Sequence, residues 1–386
     1  MQSGTGGKVL LVRRVLLVGP VSRTGGVSRF VSNLLNAGIG YEIIAFNTAR
    51  PPKPRTSKGA VGYRSLLAAG VLWAGRNALI TGWNIARFPI AVLLSRAVLV
   101  HIATSSHWTF WESSGYLVLS KLLGRRSILH FLGDFHKFCD SAPVVEMALI
   151  RQVLRGADRV IVLSESVRKM VLSIVGGQEV VVVPSTVPPD LLRPRLPERK
   201  EALEKMPFLF MGGNYGIRKG VRDLIAAIDR VLGECDHVHF LLCGGGDVEA
   251  AYQAIGDGLK GAVDYVGWVD DAGKSSLLSM ASVYVLPSYS EGMPYGIVEA
   301  MASGLAIIAT NVGSIPEFVI DGENGLLIAP GDVDGLARSI LKLARNGDLT
   351  RKMAETNRVK ASEELTPSRM QDAIQGAYDS VLSRSS

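Results

Sequence analysis

Short apolar runs alternate with stretches of helical apolar spacing along most of the chain. Runs at 15–18, 41–46, 98–102, 127–131 and 159–163 have the length and β-branched content of buried strands. Between them, 27–36 and 111–123 have the helical period, and a glycine-rich loop at 19–26 joins the first strand to the first helix. A second alternation starts near Pro207, with strands expected at 208–211, 239–243, 263–266, 283–286 and 306–309 and helices at 220–232 and 335–345. Strand–helix alternation of this kind predicts parallel sheets covered by helices, and two such series predict two doubly wound α/β domains facing each other across a cleft.

Between the two series, after an apolar run at 180–183, lie Pro184, Pro188, Pro189 and a charged stretch at 193–200. That composition marks a linker. The division expected is a first Rossmann-like domain at 1–185, a linker at 186–204, a second Rossmann-like domain at 205–366 and a final helical segment at 367–386. With 386 residues and 47% hydrophobic content, the chain is long enough to bury two cores. Cys139, Cys235 and Cys243 show neither pairing nor metal-ligand spacing, which favours reduced thiols in a cytoplasmic protein. The apolar stretch 66–100 contains Arg76, Arg87, Arg96 and Pro89. No uncharged run in it approaches the roughly 18 residues of a membrane span, so no bilayer crossing is expected.

Charge changes this picture in one respect. The first 111 residues carry thirteen Lys and Arg against one acid, Glu42, a net +12 that leaves the remainder at −5 out of a total of +7. Arg50, Lys53, Arg55 and Lys58 cluster in a proline-rich loop, and Trp73, Trp83, Trp108 and Trp111 lie in the same part of the chain. A basic surface bearing aromatics fits anionic lipid headgroups. Nucleic acid is not expected, because no nucleic-acid motif accompanies the charge.

The chemistry concentrates in Glu291-Gly-Met-Pro-Tyr-Gly-Ile-Val-Glu299. A buried strand precedes it, and apolar positions at 297, 298, 300, 301 and 305 predict a helix that starts at Pro294 and ends at Ser303-Gly304. Free amides of Gly292, Met293, Tyr295 and Gly296, around Pro294 at a helix N-terminus, suit an anion. Two carboxylates beside an anion site need another ligand, and sugar hydroxyls match an acceptor-only group. Gly212–Gly220, again between strand and helix, supplies the adjacent cations Arg218 and Lys219, placed to neutralise a diphosphate.

This segment resembles the E-x7-E signature of the retaining glycosyltransferases of family 4, which have the two-Rossmann GT-B fold. Gly313-Ser-Ile-Pro-Glu317, Asp321-Gly-Glu-Asn-Gly-Leu-Leu327 and Pro330-Gly-Asp332 follow in that family's order and spacing. The resemblance is good from about Val180 onward. It implies that Glu299 holds the donor ribose, Glu291 the sugar hydroxyls, and Lys219 and Arg218 the departing diphosphate. It further implies that Gly25 and Gly26 let the backbone approach the ligand, that Gly244 lies near the base, and that the final helix crosses back to the first domain. The donor implied is a UDP- or GDP-sugar, with no other cofactor and no metal. The acceptor implied is lipid-linked or glycan, in envelope synthesis, with the enzyme at the inner face of the cell membrane.

Two positions depart from the family pattern. Gly213 stands where relatives carry Arg, and Leu132 stands before Gly133 where relatives have His. His130 is the candidate for the missing contact to the sugar, with His136 and His107 as alternatives. The departures leave open a binding subunit without catalysis, and the fold leaves open an epimerase or phosphorylase.

Overall fold

The first strand is buried along almost its whole length, and its side chains alternate between two cores. The computed structural model describes residues 13–21, 26–50, 63–188, 191, 205–213 and 216–383, with only the backbone path for 63–73. The first domain contains β1 (Arg14–Gly19), β2 (Glu42–Asn47), β3 (Leu99–Thr104), β4 (Arg126–Phe131), β5 (Arg159–Val162) and β6 (Val180–Val182). They form a parallel sheet in the order β2-β1-β3-β4-β5-β6. Leu16 and Val18 of β1 face one core with Phe88, Phe110 and Phe131; Val15 and Leu17 face the other with Phe30, Ile374 and Tyr378. Side chains alternate between sheet faces, so a strand covered on both sides reads as an unbroken apolar run.

The second domain repeats the scheme with β7 (Met206–Gly213), β8 (Val238–Gly244), β9 (Val263–Gly267), β10 (Val283–Leu286), β11 (Ala306–Thr310) and β12 (Gly325–Ile328). Its order is β12-β11-β10-β7-β8-β9, again parallel throughout. The two doubly wound sheets expected from the sequence are both present. The helix Val221–Leu232 buries Val221, Leu224, Ala227, Ile228 and Val231, the i, i+3, i+4 spacing of an apolar stripe. The last helix, Pro367–Ser383, inserts Met370, Ile374, Ala377, Tyr378 and Val381 into the core of the first domain.

The stretch read as broken by arginines and Pro89 is one 33-residue helix, Tyr63–Ser95. Its portion Ala74–Ser95 is, by length and composition, long and apolar enough to cross a membrane despite Arg76 and Arg87. One of its faces packs on the sheet through Phe88 and Val92. Arg50, expected in an exposed basic loop, turns inward to pair with Glu112 and donates to Thr81 Oγ1 at 2.7 Å. Lys53, Arg55 and Lys58 lie outside the described residues, as does nearly all of the linker.

Candidate active site

In each sheet the chain reverses its direction of winding at one place. In the second domain that switch lies between β7 and β10, where the following loops diverge and leave a crevice at the strand C-termini. The loop after β7 carries Arg218 and Lys219; the loop after β10 carries Ser288, Ser290 and Glu291. Their close approach depends on glycine. At Gly220 the backbone has φ 80°, and a Cβ there would lie 2.0 Å from the Pro287 carbonyl oxygen. Gly313, with φ 57°, would place a Cβ 1.9 Å from the Glu291 carbonyl oxygen. No side chain fits at either position without moving the site loop.

Glu291 is almost fully buried, and its carboxylate is satisfied from two sides. Lys219 Nζ forms an ion pair with it, and Ser288 Oγ donates to it at 2.7 Å. Thr310 Oγ1 in turn donates to the Ser288 carbonyl at 2.6 Å. Arg218 holds the loop that carries the carboxylate. Its guanidinium donates to the Ser290 carbonyl at 2.5 Å, and its own carbonyl accepts from Tyr289 N–H at 3.0 Å. It braces the loop that presents Glu291.

Glu299 lies on the helix Tyr295–Ala302, also buried. Pro294, expected at the first helical position, is the N-cap instead, with an extended φ/ψ of −74° and 118°. Glu299 receives Lys274 Nζ at 2.6 Å and the guanidinium of Arg29, which comes from the first domain, 270 positions away. Arg29 also binds Asp271 at 2.8 Å and lies over the Tyr295 ring, 5.9 Å from its centroid. A buried carboxylate needs partners, and Glu299 has two cations against it.

Further contacts join the domains along the same seam. Ser290 Oγ donates to Asp134, which caps the helix Phe135–Asp140 by accepting from Lys137 N–H at 3.0 Å. Glu317 accepts the free N–H groups of Glu165 and Ser166, at 2.7 and 2.8 Å, at the start of the first-domain helix Glu165–Val175. Ser185 N–H lies 3.0 Å from Met293 Sδ, and Gly26 faces the Tyr295 ring. Gly292 abuts the Gly133 carbonyl, and Gly296 abuts the Tyr284 hydroxyl. Gly244 ends β8 with φ 143° against the Gly213 carbonyl, while its own carbonyl accepts from Tyr265 at 2.9 Å. Gly25 lies outside the described residues.

His130 does not reach this seam. It is on β4, fully buried, with Nδ1 3.2 Å from His101 Nε2 and its ring edge-on to Phe30. His101 Nδ1 meets the Tyr378 hydroxyl at 2.7 Å. Burial holds His101 down at about 3 and His130 well below the usual imidazole range, His130 also through the neighbouring ring. Both are neutral groups enclosed in the first-domain core, and His130 Nε2 is buried without a partner among the described residues. Of the alternatives, His136 Nε2 meets Ser166 Oγ at 3.3 Å, and His107 stacks edge-on to Phe138.

Arg29, Lys274, Asp134, Ser290 and Glu317 escaped sequence reasoning. Arg29 had a signal in its place three residues after Gly26, at the start of the first helix. Lys274 and Asp134 had none, because their partners are set by the fold alone. The first domain has its own switch, between β1 and β3. A cavity of about 180 Å³ lies there, with the Arg50–Glu112 pair, Tyr116, Thr109 and Ser105 in its wall. Tyr116 donates to Glu112 at 2.9 Å, and the Ser105 and Thr109 hydroxyls are 2.6 Å apart.

Solved structures share this arrangement over nearly the whole chain. Sucrose-phosphate synthase from Thermosynechococcus elongatus superposes with a TM-score of 0.71, at 19% identity over 96% of this chain and 100% of that one. HepE from Anabaena, solved in complex with UDP, gives 0.71 at 16% identity over 95% and 100%. The fold is GT-B. Within its second domain, residues 206–346 match the family model of glycosyl transferases group 1. Phosphatidyl-myo-inositol mannosyltransferase of Mycolicibacterium smegmatis is 34% identical over 143 residues, which is 36% of this chain and 36% of that relative. The match thus spans about a third of the relative's length. The segment matched by the family model carries both glutamates.

Proposed function

We propose that the chain is a retaining glycosyltransferase that moves a hexose-type sugar from a UDP- or GDP-sugar to an acceptor hydroxyl. The observation that carries this reading is the pair of buried carboxylates, Glu291 and Glu299, each paired with a lysine where the loops diverge after β7 and β10. Crevices at such switch points hold nucleotides in open α/β sheets. Glu299 accepts from the ribose hydroxyls and Glu291 from hydroxyls of the donor sugar. When the donor enters, Lys219 turns from Glu291 to the diphosphate. The bond from the anomeric carbon to the diphosphate oxygen breaks, and its electron pair leaves with the phosphate. The acceptor oxygen bonds to the same face of the sugar, and its proton passes to the leaving phosphate. No protein nucleophile is needed, and Lys219 supplies charge that a metal supplies elsewhere.

The acceptor hydroxyl enters through the first-domain cavity. Its charged groups already neutralise each other, so it favours a neutral hydroxylated ring over a phosphate. At about 180 Å³ it is smaller than the roughly 300–1,000 Å³ of drug-sized pockets. The mannosyltransferase named above acts, by its name, on a phosphatidyl-inositol, which supports a lipid-linked or envelope glycan acceptor.

The test is release of UDP or GDP from a panel of nucleotide hexoses, with and without a membrane lipid extract. Release that accelerates with acceptor supports transfer. Lys219→Ala should then lower kcat by about 10²–10³ and KM little, because charge on the diphosphate grows as the sugar departs. A change confined to KM would remove Lys219 from the leaving-group role. Binding without turnover would favour the non-catalytic subunit, and sugar phosphate formed from free phosphate would favour a phosphorylase.

A further inference from the structure

The helix Tyr63–Ser95 is turned inside out. Its protein-facing side carries Asn77, Asn84, Phe88, Val92 and Ser95, all buried. Leu79, Trp83, Ile90 and Leu94 face outward, 60–76% exposed, at spacings of four, seven and four. These spacings make one stripe along a helix, about 22 Å long at 1.5 Å per residue. A helix on the outside of a water-soluble domain shows the opposite pattern. Asn77 Oδ1 and Asn84 Nδ2 are buried without hydrogen-bond partners among the described residues. The helix therefore keeps polar groups inside at a cost while leaving large apolar groups outside. No described residue covers the stripe, and Val118 and Leu122 of the neighbouring helix Trp108–Leu122 extend it.

The charge around the stripe selects what covers it. The helix has no acidic residue, and Arg76 and Arg96 are exposed near the two ends of the stripe. Where it ends, a cationic groove of about 620 Å³ begins, walled by Arg13, Val98, Lys121, Arg125, Arg126 and Leu382. Val98 follows Leu94 by four residues, and Leu122 adjoins Lys121. Asp158, bound to Lys121 and Arg126, is one carboxylate among four cations, and the buried Nε of Arg125 has no partner among the described residues.

We infer that this face lies on an anionic bilayer, the helix in the plane of the interface. Leu79, Trp83, Ile90 and Leu94 enter the headgroup–acyl boundary, and the groove takes lipid phosphates. Apolar contact with a cationic rim is the physical signature of a helix lying on, not across, a membrane. Phe88 and Val92, held in the domain core, keep it from spanning. The inference does not depend on sugar transfer, since none of these residues is at the site.

The test is sedimentation of the full chain with vesicles of phosphatidylglycerol and phosphatidylcholine, or of phosphatidylcholine alone. The wild type should bind the anionic vesicles and keep part of that binding at about 0.5 M salt, where screening reaches only a few ångströms. The triple change Leu79→Ser, Trp83→Ser, Leu94→Ser should weaken binding about tenfold or more at both salt concentrations. The double change Lys121→Ser, Arg125→Ser should remove the preference for anionic lipid. Thermal unfolding and UDP or GDP affinity serve as controls, and both should stay near wild type in the triple variant. Absence of vesicle binding at low salt, or a triple variant that binds like wild type, would overturn the inference. So would a wild-type dimer that the triple change converts to monomer without any lipid binding, because the stripe would then meet a second copy.

Discussion

The two domains share one architecture and differ in what their outer helices face. In the second domain, Val221–Leu232 turns every large apolar side chain of its stripe into the core. In the first, Tyr63–Ser95 buries asparagines and exposes Leu79, Trp83, Ile90 and Leu94. A six-stranded parallel sheet needs cover on both faces in either case. It does not dictate the outer side of that cover, which answers to whatever solvent the domain meets. The domains also differ at their switch points. One carries two charged carboxylates with lysines, and the other a self-neutralised Arg–Glu pair beside hydroxyls.

The largest effect that separates the domains is loss of packing. Ile228→Ala in the second domain should cost about 2–5 kcal/mol in chemical denaturation, since the side chain is fully buried against the sheet. A cost under about 1 kcal/mol would show that this stripe is not core. Acid separates them next. His101 and His130 are buried neutral in the first domain, with their pKa values depressed below that of the unfolded chain. Their stabilisation is complete above the unfolded value near 6.5 and is lost as pH falls below it, toward about 3 for His101. By pH 5 the His101 ring should cost on the order of 2 kcal/mol, and His130 adds in the same direction. Thermal scans from pH 7 to 5 should show the first domain losing its lead contacts early, with the Tyr378 helix released. A stability independent of pH in that window would contradict the burial of the pair. The smallest effect is Leu79→Ser, which should change unfolding free energy by no more than about 0.5 kcal/mol, because nothing described packs on it.

The same contrast explains what could be read in the sequence. Both sheets were legible, because strands buried on two faces are continuous apolar runs whatever the domain does. The placement of Arg218, Lys219 and Glu291 on loops between strand and helix, and of Glu299 on the helix that follows, was legible because glycines and Pro294 mark those turns. Arg29 and Lys274 were not, since their contacts to Glu299 span 270 positions across the two domains and 25 positions within the second. The surroundings of His130 were not legible because a histidine ending a strand looks the same in sequence whether it faces a cleft or, as here, the Tyr378 helix. The helix Tyr63–Ser95 is a further case in which the sequence left the surface unread. Arg76 and Arg87 interrupt its apolar run in the sequence, yet Arg87 folds back to the Asn47 carbonyl at 2.6 Å and over Phe46, and the apolar surface continues past it.

Calorimetric titration of UDP and GDP into the wild type and Glu299→Ala tests the central claim most directly. The wild type should bind one of the two saturably. The variant, with the same fold by circular dichroism, should lose about 1.5–3 kcal/mol of that affinity, the contribution of a charged hydrogen-bond acceptor to the ribose. Equal affinity in the two proteins, or no binding of either nucleotide to the wild type, would contradict the account.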